Sequence, residues 1–238
     1  MSDVADLILP DGVLGHTHAD AAAMAEALAE QVAEALRGAV AERGRALLVV
    51  SGGRSPMPFF ERLAREDLPW AKVQVSLADE RWVPPSDADS NEALVRRHLL
   101  QGPAAQATML GLYRAAEDLD EAALLAEQAL AALPAIDVLV LGMGDDGHTA
   151  SLFPDSPNLT AALDAGCPRR VLPMQAPSEP RQRLTLTLPA LAGARLALLA
   201  IQGAGKLATL NQALRPGPAS ELPIRAFLQA PLQVHWSP

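Results

Sequence analysis

At 238 residues, half of them hydrophobic and a fifth charged, the chain can build one substantial core and predicts a single domain over residues 1–238. Its formal charge of -9 opposes binding to nucleic acid, whose phosphates demand clustered Lys and Arg, and eight aromatic residues make a poor platform for stacking bases. No apolar run approaches the ~20 residues that cross a bilayer, which predicts no membrane partner. The lone Cys167 has no internal disulfide partner and the N-terminal residues do not read as a secretory leader, so a reducing cytoplasm is the expected compartment.

Residues 19–43 place apolar side chains at helical spacing, and Gly44 ends that run before Ala46-Leu47-Leu48-Val49-Val50. This second stretch has no polar alternation, as expected of a strand covered on both faces in a parallel sheet. Ser51-Gly52-Gly53-Arg54-Ser55 follows, and Pro56 and Pro58 mark the start of a helix through Phe59, Phe60 and Leu63. Residues 73–78 read as the next strand, which runs out into a loop at Asp79-Glu80-Arg81-Trp82. Helices are expected near 91–100 and 117–133, then a buried strand at 136–141 that ends in Gly142-Met143-Gly144-Asp145-Asp146-Gly147-His148. Farther on, 170–174 reads as a strand, 184–188 alternates like a strand at or near an edge, and 196–201 reads as an interior strand. That strand meets Gly203, Gly205 and Lys206 at the start of a helix to about Leu214, with a short helix near 224–228 and a tail at 232–236. The alternation is that of an α/β protein, with strand order left open.

Two Gly-rich turns at strand ends carry the functional signal, because open α/β sheets bind ligands at the C-terminal ends of their strands. The backbone N–H groups of Gly52, Gly53, Arg54 and Ser55 can converge on an oxyanion, although a plain tight turn uses glycine in the same way. Lys206 offers a mobile positive charge to the same anion, or is a solvated helix residue. Arg181 and Arg183 are two further cations within reach of it. The Walker A spacing is absent, and the Gly-x-Gly-x-x-Gly at 142, 144 and 147 is a weak dinucleotide signal because Asp145 and Asp146 would face a pyrophosphate.

His148 is the candidate for proton transfer, its imidazole having one nitrogen for water and one for an orienting partner. Asp146 is the nearest such partner, and Asp79 and Glu80 arrive from another strand end. A hydrogen-bonded Asp-Gly-His turn with no chemistry is the competing explanation. His16 and His18 lack a metal-ligand spacing and are expected in a polar turn before the first helix; no metal is expected. Neither Ser151 nor Cys167 sits in a nucleophile motif, so water activated by His148 is the simpler chemistry.

At these residues the chain resembles the 6-phosphogluconolactonases, within the larger group that includes glucosamine-6-phosphate deaminases. The matching blocks are Ser51-Gly52-Gly53 with Pro56, residues 78–83 with Asn91, residues 142–154, residues 183–187, and Gly203-Ala204-Gly205-Lys206. The deaminase pattern ordinarily continues toward Phe-Asn-Glu-Pro and has Tyr after Asp-Glu, whereas this chain has Ser151-Leu152-Phe153-Pro154 and Arg81. The resemblance implies a Rossmann-like layered α/β fold with a largely parallel central sheet flanked by helices. It also implies metal-independent hydrolysis of a phosphorylated sugar lactone without a nicotinamide or other cofactor. By that resemblance His148 activates water with Asp146 in support, the 51–53 loop and Lys206 receive the phosphate, and Arg81 and Arg183 add electrostatic contacts. Whether the chain is a monomer or a homodimer is not legible.

Overall fold

The computed structural model describes residues 3–238. Strand β1 (Leu14–Thr17) leads into helix α1 (Ala21–Arg43), which Asp20 caps by accepting from Ala23 N–H at 2.8 Å. Gly44 ends it at φ 74°, a left-handed backbone that glycine tolerates without strain. Met24, Leu28, Val32 and Leu36 recur every turn on the buried face of α1. β2 (Ala46–Val50) follows, then α2 (Met57–Leu63), β3 (Val73–Leu77), β4 (Asp79–Arg81), α3 (Asn91–His98), β5 (Thr108–Leu110) and α4 (Leu119–Ala129). The second half runs β6 (Val138–Leu141), α5 (Leu159–Leu163), β7 (Val171–Gln175), β8 (Gln182–Leu186), α6 (Leu188–Ala192), β9 (Leu196–Gln202), α7 (Gly203–Ala213) and β10 (Leu232–Ser237).

Among the described residues seven strands form the central sheet in the order β1-β10-β9-β6-β2-β3-β5, and every neighbouring pair in it is parallel. Every residue of β2 and β6 is buried, as their unbroken apolar sequences require of strands covered on both faces. With its flanking helices this is the layered, Rossmann-like architecture expected from the sequence. The chain leaves β2 toward β3 and β5 on one side and returns to β6, β9 and β10 on the other. The order therefore reverses between β2 and β6, and both Gly-rich turns emerge there, where such sheets open a crevice. The N–H of Ser51 donates to Val140 O at 2.9 Å, holding the two strand ends together.

A second sheet, β4-β8-β7, is antiparallel. It corrects two expectations. Residues 79–81 form a strand rather than a loop, and β8 is the middle strand of this small sheet, not an edge. The alternating threonines of that segment are buried and hydrogen-bonded: Thr185 Oγ1 accepts from Ser151 N–H at 3.3 Å, and Thr187 Oγ1 donates to Arg169 O at 2.8 Å. Two further corrections lie at the far edge of the large sheet. His16 belongs to β1 instead of a turn, and the C-terminal tail is β10, an interior strand between β1 and β9. Among the described residues no helix is long and apolar enough to cross a membrane.

Candidate active site

The two turns and the small sheet enclose a cavity of about 310 Å³, at the lower end of the range for small-molecule sites. Ser51, Gly52, Gly53 and Ser55 line it from the end of β2, Gly144 and His148 from the end of β6, Asp79 and Arg81 from β4, Arg183 from β8, and Lys206 from α7. Five separate elements thus deliver the expected residues to one cavity. Arg54 is exposed and does not line the cavity, and Glu80 turns away from it. Arg181 is also exposed, and pairs with Glu179.

The 142–148 loop is shaped around its histidine. His148 Nδ1 and Asp146 Oδ1 are 2.5 Å apart, and the same oxygen accepts from the His148 backbone N–H at 3.1 Å. An ionised carboxylate only accepts, so the ring proton sits on Nδ1, leaving the Nε2 lone pair available to a substrate or water. Burial pushes the Asp146 carboxyl up, but the hydrogen bond and charge of His148 outweigh it and hold it below the usual carboxylate range. Gly147, at φ 73°, makes the turn, and Phe153 backs the imidazole with ring centroids 4.5 Å apart. Gly144 is required by space: a Cβ there would lie 2.0 Å from His148 Nδ1 and 2.4 Å from Asp146 Oδ1.

Across the cavity, Arg81 and Arg183 are direct partners in the β4–β8 ladder. Like charges directly opposite one another destabilise an antiparallel pair, which makes this arrangement a place where an anion is favoured. Arg183 is 7% exposed; burial lowers its pKa, while the charge of Asp79 acts the other way and the neighbouring Arg81 lowers it further. Its guanidinium lies 5.7 Å from the centroid of Phe153, so Arg183 and His148 share one aromatic support. Asp79 Oδ2 accepts from the buried Ser151 hydroxyl at 2.6 Å. Lys206 Nζ lies 3.0 Å from the exposed Asp145 carboxylate, in the middle of the loop that holds His148.

Ser51 Oγ and Arg81 Nε are buried and have no hydrogen-bond partner among the described residues. Both belong to residues of the cavity wall, and orphaned polar atoms in such a place are ones a polar ligand satisfies. Glu80 serves a different purpose. Its buried carboxylate accepts from the backbone N–H groups of Arg81, Asn91 and Glu92 at 2.6–2.8 Å and from the Ser90 hydroxyl at 3.0 Å, tying β4 to the start of α3. Burial pushes its pKa up to about 7, against the pull of those four donors. Sequence reasoning did not place Asn91, Ser151 or Phe153 in the site; only the family block containing them points there. Among the described residues no group of three or more His, Cys, Asp or Glu side chains could hold a metal ion.

Residues 19–236 match the family model described as glucosamine-6-phosphate isomerases/6-phosphogluconolactonase. The chain belongs to this family. It is 60% identical over 235 residues to a 6-phosphogluconolactonase of Pseudomonas putida, covering 99% of this chain and 97% of that one. A 6-phosphogluconolactonase of Pseudomonas aeruginosa is 59% identical over 236 residues, with 99% of each chain covered. Among solved structures, a 6-phosphogluconolactonase from Shewanella baltica superposes with a TM-score of 0.92 at 36% identity, covering 97% of this chain and 100% of the other.

Proposed function

We propose that the protein, as one domain over residues 1–238, hydrolyses 6-phospho-D-glucono-1,5-lactone to 6-phospho-D-gluconate in the cytoplasm, in the oxidative pentose phosphate pathway. The observation that carries this reading is the juxtaposition, in one cavity, of an Asp146-oriented His148 with a glycine loop, two facing arginines and Lys206. The close likeness to the two Pseudomonas lactonases supports the same substrate.

In this reading the 51–55 loop and Lys206 hold the 6-phosphate, with Arg81 and Arg183 adding positive charge. Fixing the phosphate places the lactone carbonyl near His148 and removes the entropic cost of the encounter from the chemical step. His148 Nε2 takes a proton from water as its oxygen bonds to the lactone C1, and the carbonyl becomes a tetrahedral oxyanion. Collapse of that intermediate breaks the bond from C1 to the ring oxygen, and the imidazolium returns its proton to the departing oxygen. Asp146 stabilises the imidazolium between the two steps. No covalent enzyme intermediate is needed.

The lactone also opens spontaneously, so the test compares initial rates with an enzyme-free control across enzyme concentrations. An excess rate proportional to enzyme is expected. Ammonia release from glucosamine 6-phosphate, or phosphosugar binding with no excess hydrolysis, would overturn the assignment.

A further inference from the structure

Gly52 is hemmed in by a side chain from another element. A Cβ at this position would fall 1.9 Å from Asn91 Oδ1 and 2.2 Å from its Cγ. Asn91 is the first residue of α3, is 2% exposed and forms part of the cavity wall. Its backbone N–H donates to Glu80 Oε1 at 2.6 Å, and its Nδ2 donates to the Asp79 carbonyl at 2.9 Å. Because a carbonyl only accepts, the amide nitrogen must face Asp79, which leaves Oδ1 against Gly52. That oxygen is buried and has no hydrogen-bond partner among the described residues. Helix capping does not explain it, since the Ser90 hydroxyl already accepts from Ala93 N–H at 3.1 Å. A buried amide held in this way is unfavourable unless the structure gains something from its shape.

We propose that Asn91 is a positioning residue for the phosphate subsite. Its amide fills the space that a side chain at residue 52 would take, and so seats the Ser51–Gly53 loop against β4. The loop donors come from the end of the large sheet, and Arg81 from the small one. Asn91 is anchored to β4 through the Asp79 carbonyl and through Glu80, which also binds the N–H of Arg81, and it meets the loop by packing its amide against Gly52. The separation between two sets of anion donors is thereby fixed before a ligand arrives. This inference rests on assigning the 6-phosphate to that loop.

The test titrates inorganic phosphate and 6-phospho-D-gluconate calorimetrically into the full chain carrying Asn91→Ala, Gly52→Ala, or both. KM and kcat are measured alongside for the phosphorylated lactone and for unphosphorylated glucono-1,5-lactone. Asn91→Ala is expected to weaken both anions about tenfold or more, and to raise KM for the phosphorylated lactone to match. Its kcat should stay within about threefold, as should kcat/KM for the unphosphorylated lactone. Gly52→Ala alone should lose more, and the double variant should recover most of that loss because the new methyl enters the vacated space. Asn91→Ser reads the same loss should Asn91→Ala not fold. Wild-type affinity in the truncated variants, equal losses on both lactones, additive effects of the two substitutions, or no anion binding by the unaltered chain would each overturn the proposal. Phosphate binding without lactone turnover would instead sink the functional assignment, while the binding series still decides the role of Asn91.

Discussion

Replacing Asp146 with Asn removes one charge from the site while leaving an oxygen that still accepts from His148 Nδ1, 2.5 Å away. The orientation of the ring survives, so the loss reports the support that the carboxylate gives the imidazolium formed during attack. Unit charges about 4 Å apart attract by about 1 kcal/mol in water and about 4 kcal/mol at an effective dielectric of 20. The His148 and Asp146 side chains are 30% and 43% exposed, so solvent screening pulls the value toward the lower figure. A loss of roughly 1–3 kcal/mol corresponds to a fall in kcat of about 5- to 150-fold. KM should change little, because Asp146 is not on the cavity wall. Asp146→Ala, which also frees the ring, should fall further. Initial rates above the enzyme-free background measure both variants at neutral pH. An Asp146→Asn enzyme within about twofold of wild type in kcat would refute this role for the carboxylate.

Three other outcomes are expected. Gly144→Ala drives a methyl into the His148–Asp146 pair and should lower kcat by about a hundredfold or more. It should also cost about 1–3 kcal/mol of stability, read by melting and rates below the transition. Arg183→Ala removes one of two facing cations and should raise KM for the phosphorylated lactone by about tenfold or more, while sparing the unphosphorylated one, in steady-state kinetics on both substrates. The third concerns His235, 3% exposed and stacked between His16 and His18, whose pKa is pushed down to about 3 by burial and then by the charges of those two neighbours. The unfolded chain binds a proton near pH 6.5 that the folded chain refuses until about pH 3, so the contribution is complete above the upper value and is lost as pH falls through this window. Urea unfolding at pH 7 and pH 4 should show a destabilisation in acid of a few kcal/mol that shrinks in His235→Gln; equal acid sensitivity in the variant would contradict it.

The parts of the fold legible in the sequence are those whose burial is symmetric. β2 and β6 have no polar positions, and β9 few, so they read as interior strands without knowledge of their neighbours. β1 is not legible, because an edge strand with three exposed residues has no apolar pattern. β4 is not legible either, because Asp79-Glu80-Arg81 has little intrinsic strand preference; it is held by its ladder to β8 and by the buried Glu80 carboxylate at the start of α3. In the site, the Gly-rich turns and His148 were legible because strand ends locate them. The placement of Arg183 opposite Arg81, and of Asn91 beneath Gly52, depends on the antiparallel register and on where α3 packs. No local sequence signal encodes either.

The most direct test of the account is a crystal structure of the protein with 6-phospho-D-gluconate. The phosphate should rest on the N–H groups of the 51–55 loop with Lys206 beside it, and the C1 carboxylate should lie about 2.6–3.2 Å from His148 Nε2, either directly or through one water. A phosphate bound away from that loop, or a C1 carboxylate turned away from His148, would contradict the account.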